Sequence, residues 1–219
     1  MSVDDILRSY EFFDIWMEFD AIDHYLDLVE TDLPSIIEVE RKNITAQFNA
    51  DDEEDQQTAG FLEDELDAGI TTRFFEGGAY LAVWAAYERG LHKVAALLAK
   101  EKHVLIRPED LKGPTLSAVR KYFDKVLGFS LHLDGTDWER IEMIYRLRNC
   151  LAHENGRLLS YSSQKAKDLE RWIVAQGGAQ VIDGYVVLTG TFVRATLKFL
   201  QGLVDDLTKR VQMALGGPA

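Results

Sequence analysis

Residues 144–156 read Ile-Tyr-Arg-Leu-Arg-Asn-Cys-Leu-Ala-His-Glu-Asn-Gly, an apolar helical pattern interrupted by an arginine and followed by a histidine and a glycine. At about 100° per residue, the apolar side chains surround Arg148, with Ile144 and Leu151 on one side of it and Tyr145 on the other. We therefore predict a helix whose arginine lies at the centre of the apolar face. Burying a bare guanidinium costs several kcal/mol, so Arg148 must be paired or must face an interface or a site that uses its charge.

His153 follows where this helix is expected to end. Asn155 and Gly156 are residue types that adopt the left-handed conformation of a helix C-cap. The carboxyl end of a helix stabilises a protonated imidazole. His153 is therefore placed to exchange protons near neutral pH.

An arginine, four intervening residues and a histidine resemble the motif of the HEPN superfamily (higher eukaryotes and prokaryotes nucleotide-binding domains), whose active members are largely metal-independent ribonucleases. The residue after the arginine is often polar in that family, and here it is Asn149. The family places its motif near the end of a late helix in an all-α bundle, and the helix predicted over Phe74 to Leu98 resembles the partner core helix. The resemblance covers roughly residues 70 to 210, and its specific part is the motif alone.

The composition is that of a globular chain in a reducing compartment. Of the residues, 47% are hydrophobic and four are prolines, which favours a helical fold. Cys150 is the single cysteine, so no disulfide can form within the chain. The first residues do not resemble a secretion signal and no apolar run approaches the length of a membrane span. We expect a cytoplasmic protein that does not enter the membrane.

Charge is distributed unevenly along the chain. Residues 1–70 contain 21 acidic and 3 basic side chains, a net charge of -18, whereas residues 71–219 contain 16 acidic and 21 basic side chains, a net charge of +5. We predict an acidic N-terminal helical extension over residues 1–70 that packs on a HEPN-like helical core over residues 71–215. The extension could repel RNA or bind a basic partner, whereas the core can contact phosphates.

Periodicity and turn residues predict the remaining elements. An Asp-Gly turn between β-rich arms predicts a small β-hairpin near residues 181–188. Thr31 to Pro34 predicts a break in an N-terminal helix or helical hairpin, and Asp51 to Asp55 a mobile acidic loop. Thr136 or Asp137 is expected to cap the motif helix. The other helices are predicted over residues 59–67, 71–101, 115–127, 160–176 and 191–215, before a frayed tail at residues 216–219.

The motif supplies the groups that metal-free RNA cleavage needs. His153 can act as base or acid, Arg148 can bind the phosphate through two hydrogen bonds, and Asn149 can orient either group. One chain offers only one such histidine, and Arg148 and His153 lie about 140° apart around the helix. Both problems are eased if two motif helices meet in a homodimer, because each group then occurs twice around one cleft. The resemblance implies the same arrangement, since active HEPN ribonucleases are typically dimers.

Other residues are expected to support this site. Glu88 on the predicted core helix could pair with Arg148, or could lie at a solvated rim. Arg120, Lys121 and Lys125 form a basic helix face that could bind the RNA phosphates, or could simply be solvated. Glu88 and His92 are spaced as metal ligands on a helix, but no further ligands complete a set, so we expect no metal and no cofactor.

The sequence therefore predicts a metal-independent endoribonuclease that cleaves RNA through attack of the 2′-hydroxyl. The resemblance implies a toxin or a phage-defence effector, with a possible antitoxin or regulatory protein as partner. In one HEPN subgroup the antitoxin transfers a nucleotide to a tyrosine two residues after the histidine, but Asn155 occupies that position here, which puts that mechanism in doubt. The alternatives are a catalytically inactive HEPN-like binding or dimerisation module and an unrelated helical protein.

Overall fold

The fold is all-α with one small β-hairpin, as predicted. The computed structural model describes residues 3–49, 51–67, 69–112, 115–131, 133–158 and 163–215. In chain order its helices and strands are α1 (Val3–Gln47), α2 (Glu53–Asp67), α3 (Ile70–Glu101), α4 (Thr115–Lys121), α5 (Gly135–Glu154), α6 (Ser163–Gln176), β1 (Ala179–Ile182), β2 (Tyr185–Leu188) and α7 (Gly190–Ala214). The predicted tail at residues 216–219 and the predicted start of α6 at Ser160 lie outside the described residues.

The chain divides into two compact units. The first consists of Met1–Ala21, Val83–Glu142 and Leu197–Ala219, and the second consists of Ile22–Ala82 and Met143–Thr196. The helices α1, α3, α5 and α7 therefore each contribute residues to both units. The predicted division into an extension and a core at residue 70 stays a prediction.

The first unit has an aromatic core to which α3 contributes two rings. Trp84 and Tyr87 are fully buried, with ring centroids 5.4 Å apart. Gly90 allows close approach of two helices, because a Cβ atom there would lie 3.1 Å from Val204 of α7 and 3.4 Å from Ile15 of α1. The exposed rim of α1 adds ion pairs to α3, of which the one between Arg89 and Glu18 spans 3.0 Å.

The second unit contains a group of aromatic ring contacts and a charged cluster. The Phe192 ring on α7 lies 6.1 Å from the Tyr80 ring and 6.0 Å from the Trp172 ring. Arg194, two residues further along α7, forms ion pairs with three carboxylates of α1, those of Asp23, Asp27 and Glu30. Part of the acidity of α1 therefore has a structural role within this unit.

Two predictions about the N-terminal half are wrong. The segment from Thr31 to Pro34 is not a break, because α1 continues through Pro34. Pro34 is exposed, so water can reach the carbonyl group that loses its helical donor, and buried Leu33 and Ile44 anchor the helix before and after it. The acidic run is not a loop beyond Asp52. Oδ1 of Asp52 accepts hydrogen bonds from the backbone N–H groups of Glu54 (2.9 Å) and Asp55 (3.2 Å). Asp52 therefore caps α2, which begins at Glu53, six residues earlier than predicted.

The helix predicted over residues 115–127 is present, but its second half differs from an α-helix. α4 passes at Tyr122–Leu127 into a π-helical turn, which ends at Gly128 in the left-handed conformation with φ 59°.

The predicted cap of the motif helix is also wrong. Asp134 supplies it, since its Oδ1 accepts a hydrogen bond of 2.8 Å from the backbone N–H of Asp137.

The hairpin forms as predicted. Its antiparallel register pairs Ala179 with Leu188 and Ile182 with Tyr185. Asp183 and Gly184 connect the strands with φ values of 50° and 80°, the positive values that a type I′ turn requires. Val186, Val187 and Leu188 are all buried, so both faces of β2 are covered.

Candidate functional site

The last turns of α5 place Arg148, Asn149 and His153 in the second unit. Tyr80 of α3 fixes this part of the helix, because its hydroxyl donates a hydrogen bond of 3.1 Å to the carbonyl oxygen of Ile144. Gly77 of α3 faces Leu151 of α5, and a Cβ atom at position 77 would lie 3.7 Å from that side chain, an ordinary contact distance. The motif therefore lies on a packed helix rather than on a loop.

Arg148 lies at the edge of the buried face of α5 and not at its centre, so that prediction is wrong. The buried side chains of α5 near the motif are those of Ile141, Ile144, Leu147, Cys150 and Leu151. At about 100° per residue they cover an arc from about 20° on one side of Arg148 to about 160° on the other. Tyr145, on the other side, is half-buried, and Ala152 is exposed. Arg148 is itself half-buried, which leaves part of its guanidinium in contact with solvent.

Asn149 orients the arginine. Nη1 of Arg148 donates a hydrogen bond of 3.0 Å to Oδ1 of Asn149. Within the described part of the second unit, no carboxylate forms an ion pair with Arg148. The guanidinium is thus oriented by Asn149 and is not paired with a carboxylate of that part of the unit, an arrangement that suits the binding of a phosphate.

His153 is exposed in the last turn of α5. The helix ends one residue later, as predicted, with Asn155 at φ 51° and Gly156 at φ 78°. The backbone N–H of Gly156 donates a hydrogen bond of 3.0 Å to the carbonyl oxygen of Cys150, which gives one of the last carbonyl groups of the helix a donor. Asn149 lies between Arg148 and His153 around the helix axis.

The hairpin forms backbone hydrogen bonds with the segment that directly follows the motif helix. The N–H of Val186 donates to the carbonyl oxygen of Gly156 at 2.9 Å, and the N–H of Leu158 donates to that of Gly184 at 2.9 Å. Arg157 and Tyr185 between them form an isolated β-bridge. The sequence predicts this hairpin but gives no signal for its contact with the motif, because such long-range pairing depends on the fold.

Cys150 is poorly suited to act as a nucleophile. It is fully buried, and burial together with the nearby carboxylate of Glu154 raises the pKa of its thiol to about 11. The thiol is neutral at physiological pH, and only a thiolate is strongly nucleophilic. Its role is to pack the inner face of α5.

The remaining predicted site residues belong to the first unit. Glu88 is half-buried on α3, and its pairing with Arg148 stays a prediction. The guanidinium of Arg120 lies 4.4 Å from the Trp138 ring centroid and 3.8 Å from the Asp124 carboxylate. Lys121 and Lys125 are exposed, so both can be reached by a ligand.

No protein-family profile matches this chain, and neither a curated protein nor a solved structure matches it. Among the described residues, no group of three or more histidine, cysteine, aspartate and glutamate side chains could hold a metal ion. None of the helices in the described ranges combines the length and the apolar character that spanning a bilayer requires.

Proposed function

We propose that this protein is a metal-independent endoribonuclease, with the role of a toxin or a phage-defence effector. The observation that supports the proposal is the arrangement at the end of α5, where an oriented arginine without an ion-pair partner in its unit and an exposed histidine flank an asparagine. The resemblance to HEPN ribonucleases supplies the reaction class. An antitoxin or regulatory protein is part of the same proposal.

In the proposed reaction the ribose 2′-hydroxyl attacks the adjacent phosphorus. One His153 imidazole takes the 2′-hydroxyl proton, the new bond forms between the 2′-oxygen and phosphorus, and the bond to the 5′-oxygen breaks. The leaving 5′-oxygen receives a proton from a protonated imidazole, so the products are a 2′,3′-cyclic phosphate and a 5′-hydroxyl. Arg148 stabilises the additional negative charge on the phosphorane.

A non-catalytic binding or dimerisation module is the second candidate. The observation that favours it is the angle of about 140° between Arg148 and His153 on one helix, because the two side chains of one chain then converge poorly on one phosphate. The ribonuclease proposal therefore includes a second copy of α5, which brings another Arg148 and His153 to the same cleft. A non-catalytic module does not need Arg148 and His153 to reach the same phosphate.

The proposal is tested with purified protein, EDTA and a short labelled RNA. Removing a general acid or base typically lowers the rate by about 10² to 10⁴, so we expect His153→Ala to reduce cleavage to that extent. Arg148→Ala should have a similar effect. Arg148→Lys should restore little, because an ammonium cannot make the paired hydrogen bonds of a guanidinium. Arg146→Ala is the matched control, since Arg146 is an exposed arginine of the same helix.

A substrate with a single 2′-deoxy sugar separates the two candidates. We expect it to bind with unchanged affinity and to remain uncut at that position. Cutting at the deoxy position, or cleavage that requires added Mg²⁺, would contradict the proposed reaction. Binding of RNA without any cleavage of the all-ribose substrate would favour the non-catalytic module. Circular dichroism of each variant checks that the helical fold is kept.

A further inference from the structure

Four side chains of the second unit form a stacked row of alternating rings and guanidinium groups, which we call the stacking array. The Arg73 guanidinium lies 5.6 Å from the Phe74 ring centroid and 4.2 Å from the Tyr185 ring centroid. The Arg157 guanidinium lies 5.9 Å from the Tyr185 ring centroid. The row therefore combines residues from the start of α3, from β2 and from the segment after α5.

The charges of the stacking array are not neutralised by ion pairs. Neither Arg73 nor Arg157 forms an ion pair with a carboxylate in the described ranges, and the buried Nε of Arg73 has no hydrogen-bond partner there. The first turn of α3 contains no acidic residue, although this end of a helix has a positive potential that disfavours an arginine. An anionic ligand would relieve this unfavourable placement of Arg73.

The outer members of the array face solvent. Phe74 is 57% exposed and Arg157 is exposed. Aromatic faces and guanidinium planes in one row are the groups on which unpaired bases stack, while the positive charge attracts the phosphate backbone. Both features match single-stranded nucleic acid, whose bases are free to stack.

The array lies at the end of α5 that bears His153. Arg157 is four residues beyond His153, and the backbone hydrogen bonds of Gly156 and Leu158 hold this segment against the hairpin. A strand that stacks on Tyr185 and Arg157 is therefore anchored on the segment that directly follows the proposed catalytic histidine.

We propose that the stacking array binds single-stranded RNA and holds it at this end of α5; the proposal rests on the function proposed above. A pocket of about 40 Å³ beside Arg73 and Tyr185 has room for about three water molecules, so a base stacks on the open side of the array and does not enter the pocket. Glu65 and Asp183 line the same pocket, and their negative charges weaken the binding of a phosphate backbone.

The test measures the affinity of the full chain for a fluorescent single-stranded RNA in EDTA. All variants are made in the His153→Ala background, so that the RNA stays intact. We expect Arg157→Ala to weaken binding roughly 5- to 30-fold and to reduce the salt slope by about one. Tyr185→Leu should weaken binding to a similar extent through the loss of stacking. Arg171→Ala is the matched control, because this exposed arginine of α6 lies outside the array.

Asp183→Asn gives a change of opposite sign. Asparagine followed by glycine suits the same turn, so the hairpin should fold and the loss of one negative charge should tighten RNA binding by about 2- to 5-fold at low salt. The proposal would be overturned if the affinity for RNA is unchanged in Arg157→Ala, Tyr185→Leu and Asp183→Asn. It would also be overturned if the His153→Ala protein, in which these variants are made, does not bind RNA.

The two proposals fail in different ways. If the protein with His153 intact cleaves RNA and the array variants leave both affinity and KM unchanged, the array proposal is wrong and the ribonuclease stands. If the array variants lose affinity but no RNA is cut at a 2′-hydroxyl, the array proposal stands and the ribonuclease is wrong. A protein ligand that needs the same residues while RNA does not would overturn the array proposal.

Discussion

Glu76 is a buried carboxyl group whose ionisation opposes folding. Its side chain is 3% exposed on α3, and one carboxylate oxygen has no hydrogen-bond partner among the described residues. Burial and, second, the Glu30 carboxylate raise its pKa from an ordinary 4.5 to about 7, although Arg194 acts in the opposite direction. Arg194 is already shared among Asp23, Asp27 and Glu30, so it neutralises Glu76 incompletely.

This shift predicts a pH-dependent stability. Because the folded-state pKa lies above the unfolded-state pKa, the folded chain binds more protons between pH 4.5 and about 7, and the free energy of unfolding contributed by Glu76 falls as the pH rises through that window. Glu76→Gln cannot ionise. At about 1.4 kcal/mol per pKa unit, a rise of roughly 2.5 units leads us to expect that the variant gains on the order of 3 kcal/mol at pH 8 and almost nothing at pH 4.5.

Urea unfolding at a series of pH values measures this difference. Glu170→Gln is the control, because Glu170 is an exposed carboxyl of α6 and its replacement should change stability little at any pH. A Glu76→Gln effect that is the same at pH 4.5 and pH 8, or a variant that is less stable at pH 8, would contradict the assignment.

At the scale of elements, α5 depends on the cap at its start. Asp134 accepts the hydrogen bond of 2.8 Å from the Asp137 N–H, whereas Thr136, the cap expected from the sequence, is an exposed residue inside the helix. Loss of an N-cap typically costs about 1 kcal/mol. We expect Asp134→Ala to lower the free energy of unfolding by about that amount and Thr136→Ala to change it by less than about 0.5 kcal/mol.

Chemical denaturation of the two variants decides between these caps. Cleavage should persist in both, because the cap lies at the opposite end of α5 from His153. If Thr136→Ala lowers the free energy of unfolding more than Asp134→Ala does, Thr136 is the cap, as the sequence suggested.

Elements with strong local signals were predictable from the sequence. The Asp183-Gly184 turn, the long apolar pattern of α3 and the Asn155-Gly156 cap each rest on neighbouring residues, and each is confirmed. The predictions that are wrong depend on tertiary packing. Pro34 does not break α1 because buried residues anchor both sides of it, and Arg148 lies at the edge of the buried face because Ala152 is not covered within the chain.

The candidate site shows the same limit. The sequence could place Arg148, Asn149 and His153 near the end of one helix because they follow one another along it, whereas their role stays a prediction. It could not predict the contact of Tyr185 with Arg73 and Arg157, since 28 residues of chain separate Tyr185 from Arg157 and 112 separate it from Arg73. Single exposed aromatic and arginine residues have no periodicity that distinguishes them from ordinary surface residues.

At the scale of the whole molecule, the acidity of the N-terminal region is partly used in structure. Carboxylates of α1 pair with Arg89 and Lys93 within the first unit and with Arg194 within the second. Asp52 and Asp55 accept backbone hydrogen bonds at the start of α2. A role of this region in shielding the protein from RNA therefore has fewer free charges to draw on than its net charge of -18 suggests.

The active form is predicted to be a homodimer through the exposed side of α5. Ala152 is exposed between Arg148 and His153 around the helix, and a second α5 packed there would cover it and bring two histidines to one cleft. With a chain mass of 24.9 kDa, sedimentation at micromolar concentration should give about twice that mass. Ala152→Arg should lower both dimerisation and cleavage, whereas Glu139→Arg should lower neither, since Glu139 lies in the first turns of the same helix.

Mixing two inactive variants tests whether the cleft is shared. A heterodimer of His153→Ala and Arg148→Ala contains no chain with both groups, yet a shared cleft can take its arginine from one chain and its histidine from the other. We therefore expect the mixture to regain part of the cleavage that each variant lacks alone, with a maximum near equal concentrations. A strictly monomeric protein that still cleaves RNA would refute the composite cleft, because one chain would then supply both proton transfers from a single His153.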